Sequence, residues 1–414
     1  MSSQRIDSMD YNKNKSISFV LFVFIFYAGM SCSRLIQPLW FSQSGCLEIF
    51  AFSYSLMAFV GAFSFVFSVY IDRMGVKNSI KVGCLLYSMG MFLRVIPNSY
   101  MTAAVSSLLS GLGASTILIC LRSWILCATS DVLQVKVISL KNLALGAGAA
   151  SGIFIGGYIM SYGYVTGLIF ASIMPILAMF FLVKINFSHI TLTNDNPYKG
   201  ISGIAKAFKQ DRGLLIGLII FSGVCGLYTS FILPFLPLIL LDFDFSTSTI
   251  GNLLAVCSIV SCLIQLKFKK YIIKDRYNKI YFLSEFFLAL ITFLLVLELK
   301  SSFLMVAIVF RAFALSISTL TQELIELDLI KVTKSSLFFG VIQSSFLVGD
   351  MLGAGIAGYA YQMGKIKTII IASAVLIMFN AIALPLFALL RRFQIRSKLP
   401  VEVAVTDVNS NLVS

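Results

Sequence analysis

The sequence has little charge and very little histidine. Charged residues make up 12% of the 414 residues, whereas soluble domains carry roughly 25%. Hydrophobic residues reach 58%, and the mean hydropathy is +0.93. So few polar side chains cannot cover a water-exposed surface, which excludes a soluble enzyme, a disordered chain and a secreted disulfide scaffold. The composition instead predicts a chain embedded in a lipid bilayer.

Metal and catalytic chemistry lack the residues that they need. The only histidine is His189, and the eight cysteines show no CxxC spacing. Zinc sites are built mainly from these two residue types, so we predict neither a metal site nor a disulfide framework. An HExxH motif, a Ser/His/Asp set and a phosphate-binding GxxxxGK[ST] loop are also missing, which argues against an enzyme and an ATP-driven pump. We therefore expect no cofactor.

Apolar runs of about 20 residues, the length that crosses the hydrocarbon core, recur twelve times along the chain. The predicted spans cover roughly 17–40, 46–70, 80–98, 100–128, 137–161, 164–185, 213–241, 246–268, 280–299, 302–325, 336–361 and 367–390. We predict an all-α membrane protein with twelve transmembrane helices in two six-helix bundles. Its predicted parts are an N-terminal tail 1–16, a bundle 17–185, a polar linker 186–212, a second bundle 213–390 and a C-terminal tail 391–414.

Basic residues are distributed unevenly over the predicted loops. With the N-terminus inside, the predicted cytoplasmic segments hold 25 of the 32 Lys and Arg residues, and the outer loops hold four, among them Arg94. Such an excess sets the orientation of membrane proteins, so both termini are predicted to be cytoplasmic. The net charge of +14 then reflects topology and does not indicate a nucleic-acid partner.

Spans 5 and 11 carry the same spacing of small residues, at a constant offset of 201 positions that Tyr158 and Tyr359 also follow. A helix face of small residues lets a neighbouring backbone come close. The repeat predicts two duplicated halves with a substrate site at their interface, as in many secondary transporters. The glycines of this face are Gly148, Gly152, Gly156 and Gly157 in span 5 and Gly349, Gly353 and Gly358 in span 11.

The loop between spans 2 and 3 carries a sequence motif. Residues 68–77 read SVYIDRMGVK and resemble the loop signature GxxxDRxGRK of the major facilitator superfamily. Asp72, Arg73, Gly75 and Lys77 match it, while serine replaces the leading glycine and Val76 replaces a basic residue. The glycine pattern of span 5 is similar to the antiporter motif of the same family. The resemblance implies the major facilitator fold with two pseudo-symmetric bundles.

The resemblance also implies roles for this loop. It implies a lock that holds the inner face closed while the outer face is open, with Asp72 accepting hydrogen bonds at the inner end of span 11. Gly75 suits the unusual backbone torsions of a tight connection. Asp131, which follows span 4 on the inner side, is the candidate partner of Arg73.

Charges inside spans are costly and are functional candidates by default. Counting residues along the helices places Arg311 and Asp350 at similar depth, and Arg122 and Glu323 are separated by the repeat offset. Two interpretations stay open. Each carboxylate could neutralise an arginine as a structural or gating pair, or Asp350 or Glu323 could carry a proton while arginines hold an anionic group of the substrate. The candidates are Arg34, Arg122, Arg311, Glu323 and Asp350, and Glu285 lies just inside span 9.

The resemblance implies a secondary active transporter that works by alternating access. Since spans 1 and 7 line the cavity in this family, Gln37, Tyr228 and Gln265 are candidate lining groups. We expect a proton gradient as the energy source, a small organic solute as cargo, and a monomer in a plasma or bacterial inner membrane. The glycine pattern of span 5 favours efflux by antiport. Uptake of a metabolite by proton symport is the alternative, and a non-transporting sensor or membrane enzyme is a remote one.

Overall fold

The computed structural model describes residues 13–63, 74–126, 131–182, 212–268, 276–297, 300–331 and 337–398. In this part of the chain the regular structure is helical, and one 3-10 turn, Met160–Tyr162, follows the fifth helix. The helices are α1 (Lys13–Gln43), α2 (Leu47–Ala62), α3 (Val76–Leu93), α4 (Tyr100–Leu126), α5 (Asp131–Ile159), α6 (Tyr164–Leu182), α7 (Arg212–Ile232), α8 (Leu236–Asp242), α9 (Thr247–Phe268), α10 (Tyr277–Leu294), α11 (Ser301–Lys331), α12 (Leu337–Gln362) and α13 (Ile366–Lys398).

These helices form twelve crossing segments. Ten stretches of the described chain are long and apolar enough to cross a membrane, and α7 with α8 makes up one of them. The other two segments are α2, described over 16 residues, and α3, which contains Lys77 and Lys81. The predicted fold class, an all-α protein with twelve transmembrane helices, is confirmed. The predicted linker lies almost wholly outside the described residues, and α13 continues past the predicted start of the C-terminal tail.

The seventh crossing segment is broken in the half nearer its C-terminal end. α7 ends at Ile232 and α8 begins at Leu236, with a turn between them. Pro234, within this turn, has no backbone N–H to donate, and Pro237 lies in the first turn of α8, where proline is tolerated. Pro38 of α1, in contrast, lies inside a continuous helix.

The helices before and after the linker pack in the same pattern. In the N-terminal set, α1 lies against α5 and α6, and α3 pairs with α4. In the C-terminal set, α7 lies against α12 and α13, and α10 pairs with α11. The main contacts between the sets, α5 with α9 and α2 with α12, are counterparts of each other. The offset of 201 residues found in the sequence therefore corresponds to equivalent helices in three dimensions.

The glycines of the repeat lie where helices come close. A Cβ atom added at Gly148 or Gly152 of α5 would overlap a backbone carbonyl oxygen of α1, and one added at Gly349 or Gly353 of α12 would overlap a carbonyl oxygen of α7. One turn further along, Gly156 lies against Cys32 of α1. Glycines spaced four residues apart therefore allow close approach of α5 to α1 in the N-terminal set and of α12 to α7, the equivalent pair, in the C-terminal set.

Two further glycines of the repeat lie between the sets. Gly157 of α5 contacts Gly251 of α9, where an added Cβ would lie 2.9 Å from the Gly251 Cα atom. Gly358 of α12, its equivalent at the 201-residue offset, lies against Ala51 of α2. The interface between the two sets therefore also depends on backbone-to-backbone approach.

We expect Gly152→Ala to reduce the yield of folded protein. The added methyl group meets the Ala28 carbonyl oxygen, and overpacking of this kind costs about 1–3 kcal/mol. Thermal denaturation of the purified protein and its size-exclusion profile measure the effect. Gly213→Ala is the matched control, because a Cβ at Gly213 has no atom within 4 Å. Equal stability of the two variants would contradict close packing at Gly152.

Two faces of the bundle can be defined, because consecutive crossing segments run in opposite directions. The proximal face holds the start of α1 and the end of α13, and the distal face holds the turn between α1 and α2. At the distal face the two sets touch. Glu48 accepts a hydrogen bond from Gln362, and Phe50 packs edge-on against Phe235 with ring centroids 5.4 Å apart. The space between the sets is therefore covered on the distal side.

Candidate functional site

A cavity of about 370 Å³ lies between the two sets of helices. α1, α2, α3 and α5 line it on one side, and the α7–α8 turn, α8, α9 and α11 line it on the other. Its wall is largely apolar but includes three arginines, Arg34, Arg94 and Arg311, and no acidic side chain is among the described residues that line it. Cavities of this size bind small organic molecules. The arginines make this cavity suited to an anionic group.

Arg94 departs most from the sequence prediction. The sequence places it in the connection after span 3, and it does follow the last residue of α3, but its side chain is 3% exposed and turns into the bundle. Its guanidinium donates hydrogen bonds to Ser33 Oγ at 2.8 Å and to Ser110 Oγ at 3.3 Å, and it contacts Met57 Sδ. Its buried Nε has no hydrogen-bond partner in the described structure. As the C-cap of α3 it lies where the helix dipole favours a cation.

The other two arginines enter the cavity from opposite sets. Arg34 of α1 is exposed to the cavity and forms no hydrogen bond or ion pair with another described residue. Arg311 of α11 is 3% exposed, and its Nε donates to Thr292 Oγ1 at 3.3 Å. Neither guanidinium has a carboxylate at ion-pair distance within the described ranges. Cations placed in a membrane protein without a counter-ion are costly, so a bound anion would be stabilised here.

Asp350 of α12 lies behind one wall of this cavity. It is 8% exposed, and its Oδ1 accepts a hydrogen bond from Ser230 Oγ at 2.5 Å. Two cavity-lining residues of the N-terminal set, Tyr54 and Arg34, are its electrostatic neighbours. Asp350 thus connects the C-terminal set to the exposed arginine of the N-terminal set.

The pairing inferred from depth alone is wrong for Arg311 and Asp350. The two side chains have different partners, because α11 packs on α9 and α10 whereas α12 packs on α7 and α2. The predicted pair of Arg122 and Glu323 cannot be followed, since the Arg122 side chain lies outside the described residues. Glu323 itself is exposed on α11. Equal depth along a helix does not determine which way a side chain faces.

Of the three predicted lining groups, the structure places Gln37 at the cavity, where it is 4% exposed. Tyr228 is not a lining group, which corrects the prediction. α7 turns its side chain toward α10, and its hydroxyl donates to Glu285 Oε1 at 3.1 Å. The Gln265 side chain lies outside the described residues.

The loop motif is only partly described. Asp72 and Arg73 lie outside the described residues, as does the side chain of Asp131. Gly75 has φ of +77°, a torsion that favours glycine, and it precedes the first residue of α3. Lys77 follows in the first turn of α3 and is half-buried. The backbone at Gly75 therefore has the conformation that a tight connection between two helices needs.

A second polar cluster lies inside the C-terminal set, away from the cavity. At its centre is Glu285 of α10, which is 0% exposed and contacts the hydroxyl groups of Tyr228 and Ser318. Glu285 is not among the site candidates predicted from the sequence, because it lies near the end of a predicted span. Its position in a run of apolar residues was the available signal. Among all the described residues, no three acidic, histidine or cysteine side chains are grouped to hold a metal ion.

Comparison with known proteins agrees with this architecture. The sequence model of the Major Facilitator Superfamily matches residues 19–326. Among solved structures, the nucleoside transporter NupG is 14% identical with a TM-score of 0.73, covering 90% of this chain and 99% of that chain. The D-xylose-proton symporter is 12% identical with a TM-score of 0.64, covering 87% and 96%. The human organic anion transporter MFSD10 is 12% identical with a TM-score of 0.59, covering 90% and 99%. No curated protein sequence matches the chain.

Proposed function

The chain belongs to the Major Facilitator Superfamily, and from this premise we propose that it is a secondary active transporter of a small organic anion. The observation that carries the proposal is the cavity between the two sets of helices, which Arg34, Arg94 and Arg311 line without an acidic residue among its described lining. A guanidinium binds carboxylate, sulfonate and phosphate groups through two parallel hydrogen bonds. The apolar remainder of the wall suits the organic part of such a solute.

Transport by this site requires alternating access. In the described conformation the distal face is covered by the Glu48–Gln362 hydrogen bond and by the Phe50–Phe235 contact. Movement of the N-terminal set against the C-terminal set would open this face and close the proximal one. The excess of basic residues in the segments predicted to lie at the proximal face supports a cytoplasmic location for that face and for both termini.

The position of Asp350 supports proton coupling. As a carboxylate it attracts Arg34, and as a neutral acid it leaves Arg34 to the solute anion. Binding of a proton at Asp350 and of an anion at Arg34 would therefore favour each other, since linkage is reciprocal. This positive linkage favours symport of proton and anion. Efflux by antiport stays the second candidate, because the glycine pattern of α5 resembles the family's antiporter motif.

We expect purified protein in liposomes to take up labelled organic anions when the outside is made acid. The panel contains carboxylates, sulfonates and phosphate monoesters, each beside a neutral analogue, with protein-free liposomes as the blank. Symport predicts uptake with the outside acid, and antiport predicts uptake with the inside acid. Equal movement of anions and neutral analogues, or none of either, would overturn the proposed substrate class.

Asp350→Asn is expected to lower the anion uptake that a pH gradient drives by at least about tenfold. The reason is that an amide cannot bind and release a proton at neutral pH. Exchange of labelled for unlabelled anion across equal pH should continue, since it needs no net proton movement. Asp244→Asn, at an exposed turn on the distal face, is the matched control and should behave as the unmodified protein. Unchanged gradient dependence in Asp350→Asn would remove Asp350 as the coupling group.

A further inference from the structure

The buried carboxyl group of Glu285 has an asymmetric environment. Its Oε1 accepts hydrogen bonds from Tyr228 of α7, at 3.1 Å, and from Ser318 of α11. Its Oε2 is buried and has no hydrogen-bond partner in the described structure. A carboxylate would leave a charged oxygen without a donor at Oε2, whereas a carboxylic acid with its proton on Oε2 would leave a neutral hydroxyl there, which costs less to bury.

Among the described residues, no cation compensates the charge that an ionised Glu285 would carry. The titratable groups around it are Cys225 and Tyr228 from α7 and Tyr281 from α10 itself, and Glu326 of α11 is in turn an electrostatic neighbour of Cys225 and Tyr281. α13 contributes Asn380, whose amide donates to Tyr281 Oη at 3.1 Å and does not titrate. Within the described ranges no lysine or arginine is at ion-pair distance from Glu285. An ionised carboxylate in such a place is costly, so the neutral acid is the form that this conformation accommodates.

A row of polar side chains connects Glu285 with the proximal end of the bundle. Tyr228 Oη accepts a hydrogen bond from the Cys225 thiol at 3.2 Å, and the same thiol lies 3.4 Å from Gln322 Oε1. The Gln322 amide then donates to Glu326 Oε1 at 2.8 Å. Glu326 is half-buried and lies five residues before the end of α11. The row crosses an otherwise apolar region and ends at a second carboxyl group.

The same helix pair also holds one of the cavity arginines. Glu285 of α10 contacts Ser318 of α11. A second contact between the same helices, seven residues away on each, joins Thr292 of α10 to Arg311 of α11. Seven residues correspond to about 10 Å along a helix. Tyr228 is in addition an electrostatic neighbour of Arg311. A change in charge at Glu285 would therefore act on the packing of the helices that position Arg311.

We propose that Glu285 is a proton-binding site of the transport cycle, separate from the cavity, which exchanges its proton with water that enters from the proximal face beside the polar row to Glu326. The proposal rests on the transport function proposed above and adds a site to it. In the described conformation Glu285 is the neutral acid. When the C-terminal helices rearrange and admit water, one proton leaves Oε2 for that water, and Tyr228 and Ser318 stabilise the remaining carboxylate as donors.

Glu285→Gln tests this proposal, because glutamine keeps the shape and the Oε1 acceptor but cannot release a proton. Purified protein in liposomes is assayed with whichever anion of the panel the unmodified protein moves. We expect net transport driven by the pH gradient to fall by at least about tenfold, and exchange at equal pH to stay within about twofold. Full retention of gradient-driven transport in Glu285→Gln would overturn the proposal. Full retention is also the result expected if Glu285 acts only as a structural hydrogen-bond acceptor, because glutamine keeps the Oε1 acceptor.

A second measurement does not depend on transport or on the solute. Infrared difference spectra of the detergent-purified protein, recorded between acid and alkaline pH, detect the carbonyl stretch of a protonated carboxyl group. We expect Glu285→Gln to lose a band that Asp350→Asn and Asp244→Asn keep. Failure of the unmodified protein to move any anion, with this band present, would overturn the transport function alone. A band that Glu285→Gln leaves unchanged would overturn the proton site alone.

Discussion

Replacing Arg34 with glutamine is expected to weaken transport of organic anions by a factor of about 30 to 4,000. Arg34 is the cavity arginine that is exposed to the cavity and forms no hydrogen bond or ion pair with another described residue. Its five N–H donors are therefore available to a ligand. Removing one partner of a close charged pair costs about 2–5 kcal/mol, and every 1.4 kcal/mol is tenfold in affinity. Uptake kinetics in liposomes measure the change as a rise in KM for the anion.

Arg34→Lys separates charge from geometry, because lysine keeps the positive charge but not the planar fork of donors. We expect the KM of Arg34→Lys for the anion to lie between that of the unmodified protein and that of Arg34→Gln. Arg276→Gln is the control for loss of one positive charge, since Arg276 is exposed at the start of α10. An unchanged KM in Arg34→Gln, beside an unchanged KM in the control, would show that the anion binds elsewhere.

A disulfide between α2 and α12 is expected to stop transport, and a reductant is expected to restore it. A Cβ atom built on Gly355 of α12 lies 3.5 Å from Ser55 Oγ of α2, which is close to the separation that a disulfide bridges. These helices belong to different sets, so the link would prevent the sets from separating. The variant S55C/G355C is made in a background without the eight native cysteines. We expect oxidation to lower its transport rate by at least about tenfold.

The matched control places the disulfide within one set. Ser53 of α2 and Ser107 of α4 have hydroxyl oxygens 2.7 Å apart, and both side chains are buried. Since the two helices belong to the N-terminal set, oxidised S53C/S107C should transport at close to its reduced rate. Full transport by oxidised S55C/G355C, with the link verified by mass spectrometry, would contradict separation of α2 from α12 during the cycle.

Arg94 shows why hydropathy does not predict which way a charged side chain at the end of a helix faces. The residue follows the last apolar turn of α3, and a count of charges along the chain treats every such position as a loop. In the folded protein its side chain turns back into the bundle and contacts Ser33 and Ser110 from two other helices. Those contacts join residues 61 and 16 positions apart. No local pattern in the sequence contains that information.

The partners of the buried carboxyl groups were likewise decided by the rotation of each helix. Each residue turns a side chain by about 100° around the helix axis, so a small rotation exchanges a cavity position for a packed one. Asp350 therefore contacts Ser230 and has Arg34 as its electrostatic neighbour in place of the expected Arg311. Glu285, near the predicted end of a span, becomes the centre of a buried cluster because α7 and α11 bring Tyr228 and Ser318 to it.

The sequence by itself determined the membrane environment, the twelve crossing segments and the repeat that relates α5 to α12. Each of these depends on composition, run length or spacing along the chain, which are local quantities. The tertiary structure decided which charges share a cavity and which are buried apart from it. Those choices depend on helix rotation and on contacts between residues far apart in the chain. Because charge is scarce in this sequence, the features to test first are the three arginines around one cavity and the buried glutamate inside the C-terminal set.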